Sequence, residues 1–395
     1  MSLFSGIFKI IPIPISKRMV TGVITLLVSL VYTRLLNKPS PRGPLFVTWL
    51  PTFDCNAFCR FCGTHVSHKQ QPENLSLGRC LEIADEIGRA KTWVVGFTGG
   101  EVLLWPYLFD VIRELKKHNI VVYIVTNGLL LKDYASEIIS SGVNYVVVSI
   151  DSDSATEHDD VRQLTGLYEQ AIEGVKELRK RRKGGKPLIK STTVASAQNL
   201  HKLKEVIDHL ENFMDETSFQ PVVGEYADHP HNREENQLEK FFFADNLEST
   251  VKAQLDKLID DRPGFDKTYF KLIPEFWFHP EKLVERIKCW SPFLRLQIMP
   301  GGDTRQCTVR SDYGATGNLN ESSIMDTWNS QEMQRQREEI RCHRNECICW
   351  TQDTAFNAAL DKFPFAKTFP VWNKRAELSK NEVVNQVETI KFQGE

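Results

Sequence analysis

No acidic residue occurs in this 395-residue chain before Asp54. Residues 1–44 carry cations alone, at Lys9, Lys17, Arg18, Arg34, Lys38 and Arg42. They also lack an uninterrupted apolar run of spanning length. Only residues 19–33 separate Arg18 from Arg34; as a helix they cover about 22 Å, against a hydrocarbon core of roughly 30 Å. Cations flank the run on both sides, so no charge bias sets an orientation. No small-residue cleavage site follows it, which argues against a secretory signal. The chain as a whole lacks a charge excess: 49 basic and 51 acidic residues give a net charge of −2, and nothing global indicates nucleic acid. Nine cysteines are too few for a disulfide-dense secreted scaffold.

The few cysteines are gathered. Cys55, Cys59 and Cys62 stand at a C-x3-C-x2-C spacing, and Cys342, Cys347 and Cys349 form a second group, with Cys289, Cys307 and a lone Cys80 elsewhere. Clustered cysteines in a long chain indicate metal binding in a reducing compartment. Three thiols on one loop converge on an iron–sulfur cluster or on zinc. A four-iron cube held by three cysteines keeps one iron open to a small chelating molecule. For zinc, nearby partners are limited to His65 and His68. Cys80, in a helical pattern, reads as a core thiol.

From residue 45 to about 225, short apolar, β-branched runs alternate with amphipathic helical patterns. Expected strands are Leu45–Leu50, Trp93–Thr98, Ile120–Val125, Tyr145–Ile150, Leu188–Val194 and Ser218–Val223. Expected helices are Leu77–Ala90, Pro106–His118, Lys132–Ser141, Gly166–Lys183 and Leu200–Met214. This order implies an α/β fold with a parallel sheet covered on both faces and right-handed crossovers. Active residues in barrels of this kind lie at the carboxyl ends of the strands.

The cysteine loop, with Phe61 before its third thiol, resembles the radical S-adenosylmethionine superfamily. The resemblance implies a partial (β/α)6 TIM-like barrel, a [4Fe-4S] cluster on Cys55, Cys59 and Cys62, and S-adenosylmethionine chelated to the open iron. It also implies an electron donor such as a flavodoxin or ferredoxin. Gly99-Gly100-Glu101 matches the family's G-G-E motif, which binds the amino group of S-adenosylmethionine. Thr126-Asn127-Gly128 resembles its T-N-G turn, here a βα turn or a direct ligand contact. Ser149 and Asp151 are the candidates for the ribose hydroxyls. Arg162, in an H-D-x-x-R-like segment, is the candidate partner of the cofactor carboxylate, and His158 in that segment is expected to be structural. Ser191, Thr192, Thr193 and Asn199 fit the position of polar groups near the adenosine.

Further on, Cys289, Gly302 and Cys307, an expected hairpin (294–299 and 303–308), Gly317-Asn318-Leu319 and a helix carrying Trp328 resemble an SPASM/twitch auxiliary-cluster domain. The C-x4-C-x-C ending departs from the full SPASM pattern. Five cysteines suit one auxiliary [4Fe-4S] cluster, held by Cys289, Cys307 and two of Cys342, Cys347 and Cys349; a zinc ribbon is the alternative. The basic run Arg179–Lys183 reads as a helix end complementing the dipole, and His229 and His231 as part of a polar loop. The aromatic-rich residues 238–285 either wall a substrate cavity or pack between domains.

The expected organisation is a membrane-associating segment and linker (1–44), the barrel (45–225), a helical insert (226–285), the auxiliary small α+β domain (286–355) and a tail (356–395). The first segment is best read as lying peripherally on the cytoplasmic membrane face, with a full span or a helix docked on the globular part as alternatives. The expected function is reductive cleavage of S-adenosylmethionine to a 5'-deoxyadenosyl radical, which takes hydrogen from a lipid-linked or membrane-held substrate, or next from a peptide or protein. The alternative is a non-catalytic iron–sulfur or zinc protein that carries electrons or scaffolds a partner. No catalytic side chain is assignable.

Overall fold

The computed structural model describes residues 24–25, 27–29, 31–32, 38–62, 74–223, 238–262, 267–287, 289–307, 314–342 and 350. Strand β1 (Phe46–Trp49) leads through the cysteine loop to helix α1 (Leu77–Arg89). Then follow β2 (Val94–Phe97), α2 (Leu108–Lys117), β3 (Val121–Thr126), α3 (Ala135–Ser141) and β4 (Tyr145–Ser149). Two helices, α4 (Ala155–Arg162) and α5 (Leu167–Arg181), precede β5 (Leu188–Ala195), α6 (Leu203–Leu210) and β6 (Glu216–Pro221). All six strands run parallel in chain order, as alternating elements with right-handed crossovers require.

Helix α1 starts at Ser76, whose side chain accepts from the Arg79 amide. It buries Cys80, Ile83, Ala84 and Ile87, at the i, i+3, i+4, i+7 spacing of one face. Helix α2 does the same with Leu108, Val111, Ile112 and Leu115, all fully buried. Each such side chain contributes about 1.5–3 kcal/mol through removal from water. These faces close on Val95, Phe97, Val122, Ile124, Val146 and Val148 in one core. Helix α4 was not among the expected elements; its residues are mostly polar and bury only His158 and Arg162.

The expected hairpin does not form a sheet of its own. Its first strand, β7 (Arg295–Ile298), pairs parallel with β1, and β8 (Asp303–Arg305) and β9 (Gly317–Asn318) extend the same sheet antiparallel. The order is β6-β5-β4-β3-β2-β1-β7-β8-β9. After β9, Leu319 and then Ile324 and Trp328 of α9 (Ile324–Trp328) and Met333 of α10 (Gln331–Cys342) enter the barrel's own core. In the insert, α7 (Glu248–Asp260) and α8 (Ile273–Phe278) form a second core with Leu203, Ile207, Phe219 and Trp350. Most of the aromatics of 238–285 are therefore packing. The basic run ends α5: Arg181 pairs with Glu177, Arg182 with Asp215, and Arg179 donates to the Phe213 carbonyl.

Candidate active site

The cysteine loop is fastened at both ends. At its start, the Gly100 amide donates to the Thr52 carbonyl (3.0 Å) and the Glu101 amide to the Asp54 carbonyl (2.7 Å). This contact leaves no room for side chains. A Cβ on Gly100 would lie 2.0 Å from the Asp54 carbonyl oxygen, and one on Gly99, at φ +133°, 2.7 Å from that of Thr52. At its end, the Arg60 amide donates to the Val161 carbonyl (2.9 Å) and the Phe58 amide to that of Arg162 (3.3 Å). The Arg60 guanidinium adds an ion pair with Asp160 (2.6 Å). The loop is thus clamped between the G-G-E turn and the last turn of α4.

The three thiols lie within electrostatic range of one another and of Arg162. Cys59 is buried, Cys55 and Cys62 partly so. Burial pushes Cys55 up to about 11 and Cys59 to about 12, and Arg162 offsets only part of the rise. Such thiols stay protonated until a metal displaces the proton. Three neighbouring thiols on one loop beside one cation are a donor set that fits a [4Fe-4S] cluster open at one iron.

Glu101 is buried and accepts three hydrogen bonds: from the Leu103 amide (3.0 Å), the Thr126 hydroxyl (2.8 Å) and the Asn127 amide (2.8 Å). Burial raises its pKa, and these donors work against that rise. A carboxylate offers about four lone-pair sites, so roughly one is left for a ligand. The T-N-G turn therefore serves first as the mount of Glu101. It also holds the cysteine loop, because Asn127 Nδ2 donates to Asn56 Oδ1 (2.6 Å).

Asp151 and Arg162, expected to meet the ribose and the carboxylate separately, meet each other. Arg162 Nε donates to Asp151 Oδ2 at 2.7 Å, with both side chains buried. The other carboxylate oxygen accepts from the Val194 amide (2.9 Å). Arg162 lies 5.4 Å from the Phe61 ring centroid, and Phe61 packs edge-on to Phe241 of the insert at 5.7 Å. Asp151 is a positioning residue for Arg162. His158 is structural: its Nδ1 accepts from the Asp151 amide (3.1 Å), which keeps the ring neutral, and burial lowers its pKa to about 4.

Strand alternation divides the polar candidates. Ser191 and Thr193 are buried, and the Thr193 hydroxyl donates to the Ile150 carbonyl. Thr192 lies on the opposite face, level with Ser149 on β4 and Ser218 on β6. All three are partly accessible. They form a hydroxyl row on the face turned away from the helices. Ser218, at an expected strand start, was not singled out in the sequence; its register with Thr192 is the signal. Asn199 is consumed by the backbone of Asp151, Val194 and Ser196.

Behind the site, α1 carries the auxiliary segment. Arg79 donates to the carbonyls of Leu319 and Ser322, and Glu86 accepts from the Ile324 amide (2.7 Å). Asn318 closes the turn by donating to Gly301 and Asp303. Cys307 is buried and Cys289 partly exposed. The Cys342 side chain, Cys347, Cys349, His65, His68, His229 and His231 lie outside the described residues. Among the described residues, Asp85, Glu114 and His118 form a ligand-like group between α1 and α2. Its carboxylates already pair with Arg89 and Lys117.

Comparison with known proteins agrees with this construction. Residues 49–210 match the radical SAM superfamily profile, and residues 289–351 match SPASM, an iron–sulfur cluster-binding domain. The mycofactocin maturase MftC of Mycobacterium tuberculosis is 29% identical over 181 residues, 43% of this chain and 45% of that protein. The pre-heme d1 synthase of Dinoroseobacter shibae is 33% identical over 136 residues, covering 34% and 33%. The chain thus spans less than half the length of these curated relatives. Streptococcus suis SuiB bound to S-adenosylmethionine superposes with a TM-score of 0.58 at 16% identity, over 80% of this chain and 72% of that one. The enzyme anSMEcpe with AdoMet and a peptide gives 0.52 at 14% identity, over 74% and 82%. These solved structures share the fold. Residues 49–210 thus carry a radical SAM domain and residues 289–351, continuous with its sheet, an SPASM iron–sulfur domain.

Proposed function

We propose that this protein is a radical SAM enzyme that cleaves S-adenosylmethionine reductively and abstracts hydrogen from a substrate. The observation that carries the reading is the clamped loop, which presents Cys55, Cys59 and Cys62 beside both Glu101 and Arg162. When bound, a [4Fe-4S] cluster with S-adenosylmethionine supplies one electron to the sulfonium and yields a 5'-deoxyadenosyl radical. The chain's own residues bind and orient. Glu101 offers its remaining lone pair to the cofactor ammonium. Arg162 keeps four of its five donors beyond the Asp151 bond, enough for a carboxylate. Ser149, Thr192 and Ser218 offer hydroxyls to a sugar. Phe61 and Phe241 cover one side and exclude water. Cys289 and Cys307, with two of the later cysteines, hold one auxiliary cluster. An electron donor such as a flavodoxin or ferredoxin supplies the electron.

The second part of the reading concerns place. The acid-free, cationic residues 1–44 support attachment to a membrane surface on its cytoplasmic side. The substrate is a lipid-linked or membrane-held molecule or, as the peptide-bound neighbour suggests, a peptide. The test is anaerobic reconstitution with reductant. Release of 5'-deoxyadenosine supports the enzyme; intact clusters that yield none would leave an electron carrier or scaffold. Replacing Cys55, Cys59 and Cys62 by Ala should abolish the product and leave the auxiliary iron.

A further inference from the structure

We infer that the protein binds the surface of a bilayer containing anionic phospholipid through an inside-out N-terminal helix and a cationic pocket beside it. The inference rests on the membrane part of the proposed function and not on the radical chemistry. Residues 24, 25, 27–29, 31 and 32 are helical. Ile24, Leu27 and Val31 are 42%, 44% and 46% exposed, whereas Thr25 and Ser29 are buried. At 100° per residue the first three share one stripe, and the two hydroxyl residues share nearly the opposite face. A helix docked for packing alone would be turned the other way. The Ser29 hydroxyl has no hydrogen-bond partner among the described residues, so this orientation costs stability in water. An apolar medium against the outer stripe removes that conflict.

The neighbouring surface supplies the charge. Arg42 Nη1 donates to Thr25 Oγ1 (3.4 Å), which joins the helix to a cavity of about 530 Å³ lined by Pro41, Arg42, Arg89, Ala90, Lys91 and Met325. Among the described residues, no acidic one lines it. Asp85 pairs with Arg89 at 2.6 Å, while Arg42 and Lys91 have no carboxylate partner among the described residues. An open pocket with three cations next to an apolar stripe matches a phosphate headgroup above an acyl layer. The linker is held there by Trp328 Nε1 donating to the Ser40 carbonyl (3.0 Å) and Thr92 Oγ1 donating to that of Pro44 (2.9 Å).

The position of this surface orients the enzyme. Pro44 and Thr92 precede β1 and β2, whereas the cysteine loop and G-G-E turn follow them. Residues 92–98 separate the two ends by about 20 Å at 3.3 Å per residue. The membrane therefore meets the amino-terminal edge of the barrel, and the site opens on the other side. A membrane-held substrate needs a spacer of about that length to reach it.

The test is flotation of the full-length protein with vesicles of phosphatidylcholine alone or with one quarter phosphatidylglycerol. Wild type should partition at least tenfold more strongly into the anionic vesicles at low salt. Arg42→Gln, Arg89→Gln and Lys91→Gln together should lower that partition by up to a hundred-fold, roughly five-fold per charge. Arg42→Lys with Arg89→Lys should restore it to within about two-fold. Ile24→Ser, Leu27→Ser and Val31→Ser together should abolish binding to both vesicles. Raising the salt on wild type repeats the charge test without any substitution. A charge variant and a high-salt wild type that both bind as before would overturn the headgroup pocket and leave membrane attachment standing. Wild type that floats with neither vesicle would overturn both. Release of 5'-deoxyadenosine is expected to be unchanged in every variant.

Discussion

The carbonyl oxygen of Asp54 occupies the space that a side chain on Gly100 would need, 2.0 Å from the position of its Cβ. The obstacle is backbone, and that backbone leads directly into Cys55. Gly100→Ala must therefore move the cysteine loop or the G-G-E turn. Overpacking of this kind costs typically about 1–3 kcal/mol. The expected outcome is a folded protein with auxiliary iron, no radical cluster and no 5'-deoxyadenosine. A variant with full iron content and normal turnover would show that the loop yields without consequence.

Glu101→Gln should damage binding and stability together. The amide nitrogen would face either the Leu103 amide and the Thr126 hydroxyl or the Asn127 amide, all of them donors as the structure stands. A lost charge-assisted bond to the cofactor ammonium is worth about 1.5–3 kcal/mol, roughly 10- to 150-fold in affinity. Titration calorimetry with S-adenosylmethionine and thermal unfolding of the same samples check both effects. A fall in affinity alone would mean that the T-N-G turn does not depend on the charge.

His158 gives a pH dependence whose sign is fixed by its folded pKa, about 4 against an ordinary value of 6.5. The unfolded chain binds the extra proton first. Stability from this residue is therefore complete above about pH 6.5 and lost as pH falls towards 4, by on the order of 3 kcal/mol. His158→Gln keeps an acceptor for the Asp151 amide but does not titrate. The denaturation midpoints of wild type and variant should converge or cross between pH 6.5 and 4. Parallel midpoints over that range would count against a neutral buried ring.

Much of this was legible because the barrel's units are short and regular. The six strands and the cysteine, G-G-E and T-N-G positions were readable from apolar runs and glycine turns. Helix α4 was not, because its polar sequence has little apolar periodicity and its two buried residues, His158 and Arg162, are polar groups that bond to Asp151. The pairing of β7 with β1 is a contact between residues about 250 positions apart, which no local pattern records. The Asp151–Arg162 pair is hidden for a related reason: it joins the end of β4 to the last turn of α4, a helix that the apolar pattern does not show.

Arg79 and Glu86 couple the two domains from one helix. Arg79→Met would strand the carbonyls of Leu319 and Ser322 and leave Glu86 without its cation (2.8 Å). Breaking such a partly buried network costs about 1–3 kcal/mol. The expected result is lower auxiliary iron and earlier proteolysis beyond residue 300, with the iron on Cys55, Cys59 and Cys62 retained. Equal loss at both sites would show instead that the barrel itself had failed.

The hydroxyl row offers the sharpest test of orientation, because its control lies one residue away. Thr192 shares a face with Ser149 and Ser218, whereas Ser191 is buried on the other face. A neutral hydrogen bond contributes about 0.5–1.5 kcal/mol net, so losing one weakens binding by roughly two- to twelve-fold. Ser149→Ala and Thr192→Val should each lower affinity for S-adenosylmethionine by that factor, and Ser218→Ala should if the row extends to β6. Ser191→Ala should change neither affinity nor rate, and 5'-deoxyadenosine itself, which keeps the sugar, should show the same ranking as an inhibitor. If Ser191→Ala proved as damaging as Thr192→Val, the effect would come from packing of β5, and the face assigned to the cofactor would be wrong.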